Sequence, residues 1–197
     1  MGKAGPRAAA TAATRQAIIQ AARELLATGN LRHFTLDAVA ASAQVTRVTV
    51  YNQVQSKSGL LDAVLTDLTE RGGMDQLLTA TQDMPARPAW AFIIERTCRF
   101  WHAERSVLRP LFGLAVVDHD LAANLAQREQ WRAAQIDTLV DRLADEDALD
   151  TDLPRAVLVA GILAVTSFPA YDALGTLADD PSAAAALISR LVASLTG

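Results

Sequence analysis

The stretch VTRVTVYNQVQSK, from Val45 to Lys57, holds residues suited to reading another molecule's hydrogen-bonding pattern. Six of its thirteen residues are β-branched, and local propensity alone would make it a strand. The segments on both sides read as helices, however, and on a helical wheel the polarity of the stretch resolves. Val50 and Val54 fall about 40° apart on one side, while Val48, Thr49, Tyr51 and Asn52 fall on the other. The second face mixes hydrogen-bonding groups with methyls and carries no acid. Those types match base edges in a DNA major groove: Asn52 suits adenine, Arg47 suits guanine, and the methyls of Val48 and Thr49 suit the thymine methyl. Thr46 supplies an N-cap hydroxyl, and Arg47 follows it in the first turn. Thr35, Tyr51, Gln53 and Lys57 would stand at the rim, where phosphates fix register and Arg47, Thr49 and Asn52 carry sequence information. Lys57 also opens the next helix, whose free N–H groups favour an anion.

No other set of residues points to catalysis. His33, His102 and His119 have no partner at a ligand spacing such as i, i+4, so no metal site is expected. Asp118-His119-Asp120 could bind a metal or move protons, but beside a helix start its acids read more simply as caps. There is no Gly-x-Ser-x-Gly elbow and no phosphate-cradling loop. Cys98 is the sole cysteine, which excludes an intramolecular disulfide and suggests a buried thiol. Catalytic residues and cofactors are therefore expected to be none.

Charge separates the chain where chemistry does. Residues 1–60 hold seven basic and two acidic side chains, a formal +5, whereas residues 61–197 hold eleven basic and twenty acidic ones, a formal −9. A basic first third on an acidic remainder suggests that the first third meets a polyanion. No run approaches the ~20 apolar residues of a membrane span, and the N-terminus lacks the apolar core of a secretory signal, so a cytoplasmic protein with no membrane partner is expected.

The elements that must position these residues are all helical in pattern. TRQAIIQAARELLATGN, from Thr14, sets Ile18, Ala21, Ala22, Leu25 and Leu26 on one stripe, with Gly29-Asn30 as a left-handed stop. Thr35 caps a short helix carrying Leu36, Val39 and Ala40. After the opening stretch, Ser56 or Ser58 caps a helix with Leu60, Leu61, Val64, Leu65 and Leu68 that ends near Gly72-Gly73. Beyond it come AWAFIIERTCRFWHA, a shorter SVLRPLFGLAVV, and a long helix over about 120–144. A polar connection leads to two apolar helices, about 154–174 and 180–195. Outside Val45–Lys57 nothing alternates like a strand, so an all-α fold is expected.

FTLDAVAASAQVTRVTVYNQVQSKSGLLDAVL resembles the DNA-binding domain of tetracycline-repressor-like (TetR) transcriptional regulators. The matching positions are Thr35, Val39-Ala40, Ala43, Val45-Thr46, Thr49-Val50-Tyr51, Lys57 and Leu60, and the resemblance covers about residues 14–65. Two positions depart from the family pattern: Gln44 stands where a turn glycine is usual, and Val54 where Phe is usual.

The resemblance implies a homodimeric DNA-binding transcriptional regulator, repressing in most such proteins, that a small-molecule effector releases from a palindromic operator in double-stranded DNA. It implies a disordered tail over 1–13, a helix-turn-helix domain over 14–73 including the connecting helix, and a helical ligand-binding and dimerisation domain over 74–197. Within the last, Trp90, Phe92, Phe100, Trp101 and Phe112 crowd into 23 residues, either as plain core or lining an apolar pocket with Arg99, His102 or Arg105 as polar anchor. The residues expected at the ligand are Trp101, His102, Arg105, Phe112, Trp131 and Phe168. In the family the last two helices pair with their copies, which places Ala160, Gly161, Ala164, Leu187 and Leu191 at a dimer interface. The competing reading is an all-α small-molecule-binding protein or enzyme with no DNA role.

Overall fold

The computed structural model describes residues 5–197, and every regular element among them is helical. Ten α-helices follow in order: α1 Pro6–Ala27, α2 Leu36–Ser42, α3 Arg47–Val54, α4 Lys57–Gly72, α5 Leu77–Ala80, α6 Ala86–Ala115, α7 His119–Asp145, α8 Arg155–Val165, α9 Phe168–Ala173 and α10 Pro181–Thr196. Short 3₁₀ turns occupy Leu31–His33, Met74–Gln76 and Gly175–Asp179. None of the helices is long and apolar enough to cross a membrane. The chain forms two compact units. The first is the chain through Arg71 together with Ser106–Asn124, and the second is Gly72–Arg105 with Leu125–Gly197.

In the first unit the expected stripes become the core. Ile18, Ala22 and Leu26 of α1, Val39 of α2, Val50 of α3 and Leu60, Leu61, Val64 and Leu68 of α4 are all buried. Gly29, at φ 71°, ends the path out of α1, and the Thr35 hydroxyl accepts the Ala38 amide at 3.1 Å to start α2. Ser56, not Ser58, caps α4, accepting the Gly59 amide at 2.9 Å. Gly59 is needed there, because a Cβ would collide with the Val54 carbonyl oxygen where α4 passes the end of α3. A buried carboxylate ties α1 to α4: Asp67 accepts from Gln16 Nε2 at 2.8 Å and from Arg23 Nη1 at 3.1 Å.

Three expectations are corrected. The tail expected to be disordered is helical over 6–13, because Pro6 pre-sets the first turn and the alanines that follow favour helix; residues 1–4 lie outside the described residues. The two helices expected over 89–117 are one thirty-residue helix, α6, that runs through Pro110. Burial of Val107, Leu108 and Leu111 around the proline outweighs the backbone bond it forfeits. The single apolar helix expected over 154–174 is broken instead. Pro169 cannot return an amide to the Val165 carbonyl, and the Ser167 hydroxyl starts α9 by accepting the Ala170 amide.

In the second unit α10 packs on α8, and the broken junction between α8 and α9 is held from two other helices. The Thr166 carbonyl accepts from Trp101 Nε1 at 3.2 Å and from Arg132 Nη2 at 2.9 Å.

Candidate nucleic-acid interface

The helix that opened the sequence reading forms as an eight-residue helix despite its β-branched content, because its cap and its buried side outvote local propensity. The Thr46 hydroxyl accepts the Thr49 amide at 3.1 Å and lies 2.8 Å from the Thr49 hydroxyl, so the two threonines close the first turn together. Val50 and Val54 point into the core, and the smaller plug at Val54 is still fully enclosed. Gln44, which replaces the usual turn glycine, adopts the left-handed conformation itself at φ 55°. That costs about 1 kcal/mol relative to glycine, and the Val45 amide then bonds the Ala40 carbonyl at 3.0 Å to close the turn between α2 and α3.

Arg47, Val48, Tyr51 and Asn52 are exposed, with Val48 67% and Tyr51 60% accessible. An exposed valine and tyrosine side by side on a short helix are costly to leave in water and are suited to van der Waals contact with a partner. Thr35 and Thr46 are exposed at the ends of their helices, and Thr49, Gln53 and Lys57 are half-buried. The Lys57 ammonium stands 5.4 Å from the centre of the Phe34 ring, a cation–π contact that holds it at the start of α4.

Three participants escaped sequence reading. Asp37 Oδ2 lies 3.2 Å from Arg47 Nη1, an exposed ion pair across the turn between α2 and α3. Arg15, thirty-eight residues away in sequence, donates to the Gln53 carbonyl at 2.6 Å, at the end of α3 where unpaired carbonyls gather. Phe34, in the linker between α1 and α2, is buried beneath Lys57. Only the i+10 spacing of Asp37 and Arg47, across a helix-turn-helix, offered any signal for these contacts.

The model for the bacterial regulatory proteins of the tetR family matches residues 18–64, the span that contains α2, α3 and their flanks. The chain therefore carries a tetR-family DNA-binding segment over those residues. Solved structures share its fold over nearly the whole chain. A TetR transcription regulator from Haloarcula marismortui ATCC 43049 is 14% identical, covering 94% of this chain and 97% of that one, with a TM-score of 0.74. Salmonella enterica GusR is 16% identical over 93% and 95% of the two chains, with a TM-score of 0.73. A transcriptional regulator from Rhodococcus sp. Rha1 is 16% identical over 92% and 95%, with a TM-score of 0.72. No curated protein matches the sequence.

In the second unit, the residues expected at a ligand stand in different settings. Trp101 and Phe168 are buried against each other with ring centres 5.7 Å apart, and Phe100 joins them at 4.9 Å from Trp101. His102 is exposed, with Nδ1 3.1 Å from the Ala178 carbonyl oxygen. Arg105 pairs with Asp172 at 2.6 Å and Asp179 at 2.8 Å, and the hydrogen bond to Asp172 raises its pKa above the usual arginine value. Trp131 is 43% exposed, and Phe112 is half-buried in the first unit. A cavity of about 130 Å³ bordered by Trp90, Ile94, Leu143, Ser189 and Val192 includes none of these six.

The residues expected between copies divide as well. Ala160, Ala164 and Leu191 are exposed, and Leu187 is half-buried. Gly161 faces inward, since a Cβ there would touch Leu195 of α10 at 3.4 Å. That is an ordinary van der Waals distance, so an alanine would also fit between α8 and α10.

Cys98 is buried, and burial pushes its thiol up to about 12, so it stays protonated and unreactive near neutral pH.

Proposed function

We propose that the protein acts as a cytoplasmic homodimeric repressor, bound through two copies of α3 to a near-palindromic operator and released by a small-molecule effector held in the second unit. The observation that carries the DNA side of this reading is the sidedness of α3. Two buried valines fix it to the core, while Arg47, Val48, Tyr51 and Asn52 stand in solvent with no protein role beyond the Asp37 contact. Arg47 and Asn52 supply bidentate donors and acceptors for guanine and adenine, Val48 and Thr49 methyl contacts for thymine, and Thr35, Thr46, Tyr51, Gln53 and Lys57 the surrounding phosphate and sugar contacts.

Dimerisation is supported by the outward row Val157, Ala160 and Ala164 on α8 beside Ala186 and Leu191 on α10. An apolar row of small residues gains by closing on a copy of itself. A two-fold arrangement of this kind would set the recognition helices about 34–36 Å apart, one turn of B-DNA. The effector would select an arrangement of the dimer that misfits this spacing and so draw the population away from DNA. The cavity of about 130 Å³ is small beside the ~300–1,000 Å³ of drug-sized ligand sites, so by itself it would take only a small effector or one end of a larger one. Sedimentation of the free protein and of its complex with an operator duplex tests the assembly. Two chains in each supports it, and a monomer at micromolar concentration contradicts it.

A further inference from the structure

We propose that the first two turns of α1 form a second DNA-contacting arm, lying along the phosphodiester backbone just outside the bases read by α3. The inference rests on the DNA-binding reading and extends it to a segment beyond the matched residues 18–64.

The argument starts from a ridge on α1. Ile18, Ala22 and Leu25 share one face of the helix, and Ile18 and Ala22 are fully buried in the first unit. Continued towards the N-terminus at i−4, i−7 and i−11 from Ile18, the same ridge carries Thr14, Thr11 and Arg7. The other positions from 8 to 13 are all alanine. An ordinary solvated extension would scatter its polar residues around the helix, and one packed on protein would keep its ridge apolar. Here the ridge turns polar and cationic at the point where the core ends, and residues 7–13 are exposed. The Thr11 and Thr14 hydroxyls donate back to the Arg7 and Ala10 carbonyls at 3.0 Å each, so the group the ridge offers to a partner is the exposed Arg7 guanidinium.

Its position and charge say what that partner is. Arg15 donates to the Gln53 carbonyl at 2.6 Å, which pins α1 at the C-terminal end of α3 just where the exposed turns begin. From Arg15 to Arg7 the helix advances about 12 Å at 1.5 Å per residue. No acidic residue precedes Glu24, and Lys3, outside the described residues, adds charge of the same sign. With α3 in a major groove, a cationic ridge leaving its C-terminal end meets the phosphate chain bordering the groove, which carries one charge per ~3.4 Å of helix axis. The span of about 12 Å corresponds to about three base pairs at ~3.4 Å each.

The test compares wild type, Arg7→Ala, Arg7→Lys and Lys57→Ala on an operator selected from random DNA, with either full flanks or flanks shortened by three base pairs on each side. Arg7 makes no packing contact, so its variants should melt with wild type. Arg7→Ala is expected to lower the slope of log K against log salt by about 0.9 per bound chain and to weaken binding about eightfold per chain at 0.1 M salt, with base preference unchanged. Arg7→Lys should bind like wild type. Shortened flanks should weaken wild type to the level of Arg7→Ala and leave Arg7→Ala where it was. If Lys57→Ala weakens binding while Arg7→Ala keeps the wild-type affinity and slope, the arm is refuted and the α3 reading stands. If wild type enriches no DNA at all, both fail together.

Discussion

Replacing Asp37 by Asn should tighten binding to DNA. Asp37 Oδ2 lies 3.2 Å from Arg47 Nη1, and the two side chains are 64% and 68% accessible. A pair this exposed is worth ~0–1 kcal/mol. A bidentate arginine–guanine contact is worth ~1–3 kcal/mol, so Arg47 leaves Asp37 whenever the right base is offered and forfeits the pair in doing so. Asp37→Asn abolishes that forfeit and removes a negative charge facing phosphates, which together should raise operator affinity about two- to fivefold, more at low salt. Because Asp37 lies in the first turn of α2, the variant should also lose about 0.3–1 kcal/mol of folding stability. Fluorescence anisotropy on a labelled operator at several salt concentrations, for wild type, both single variants with Arg47→Ala, and the double variant, separates the two effects. In the Arg47→Ala background the gain should shrink to the salt-dependent part alone. A tenfold loss of affinity in folded Asp37→Asn would refute the reasoning, since it would mean that the carboxylate itself accepts from a base or holds Arg47 in its reading pose.

Other perturbations test other parts of the account. Asp67→Ala should cost about 3–5 kcal/mol in urea unfolding, because it removes the buried carboxylate that pairs with Arg23 between α1 and α4; a loss below about 1 kcal/mol would mean that Arg23 simply swings into solvent. Lys57→Ala should weaken all DNA sequences alike and flatten the salt dependence by about 0.9 per chain, and an altered base preference would instead make Lys57 a reader. With its thiol raised to about 12, Cys98 should resist thiol reagents in the folded protein at pH 8 and react only as the protein unfolds. Keeping that thiol neutral stabilises the fold fully below the ordinary thiol pKa of ~8.5, and this contribution is lost as pH climbs towards 12. Unfolding midpoints that do not fall between pH 8 and 11 would contradict the burial.

The parts of the fold legible from sequence were those decided within a few residues. Thr35 and Thr46 announced their helices because a cap hydroxyl bonds an amide three residues on, and Val50 and Val54 declared the inward side of α3 through the helical period. Boundaries decided by distant contacts were not legible. The break expected between residues 103 and 106 does not form in the continuous α6, and the break at Thr166 depends on Trp101 and Arg132, sixty-five and thirty-four residues away. The candidate site divides along the same line. The reading face follows from one helix, whereas Arg15 at the end of α3 and Asp37 beside Arg47 arise only once three helices have packed. The second unit was the hardest to read, because an aromatic on an amphipathic helix carries the same sequence signature whether it fills a core, as Trp101 and Phe168 do, or stands exposed, as Trp131 does.

The central claim is that α3 reads DNA bases through Arg47, Thr49 and Asn52. Selection of bound duplexes from a random pool, run in parallel with wild type and Arg47→Ala, tests it most directly. The account predicts that wild type enriches a near-palindrome with half-sites about one helical turn apart, and that Arg47→Ala enriches the same pattern with preference relaxed at one position in each half. Enrichment of an identical sequence by both proteins, or of none by wild type, would contradict it.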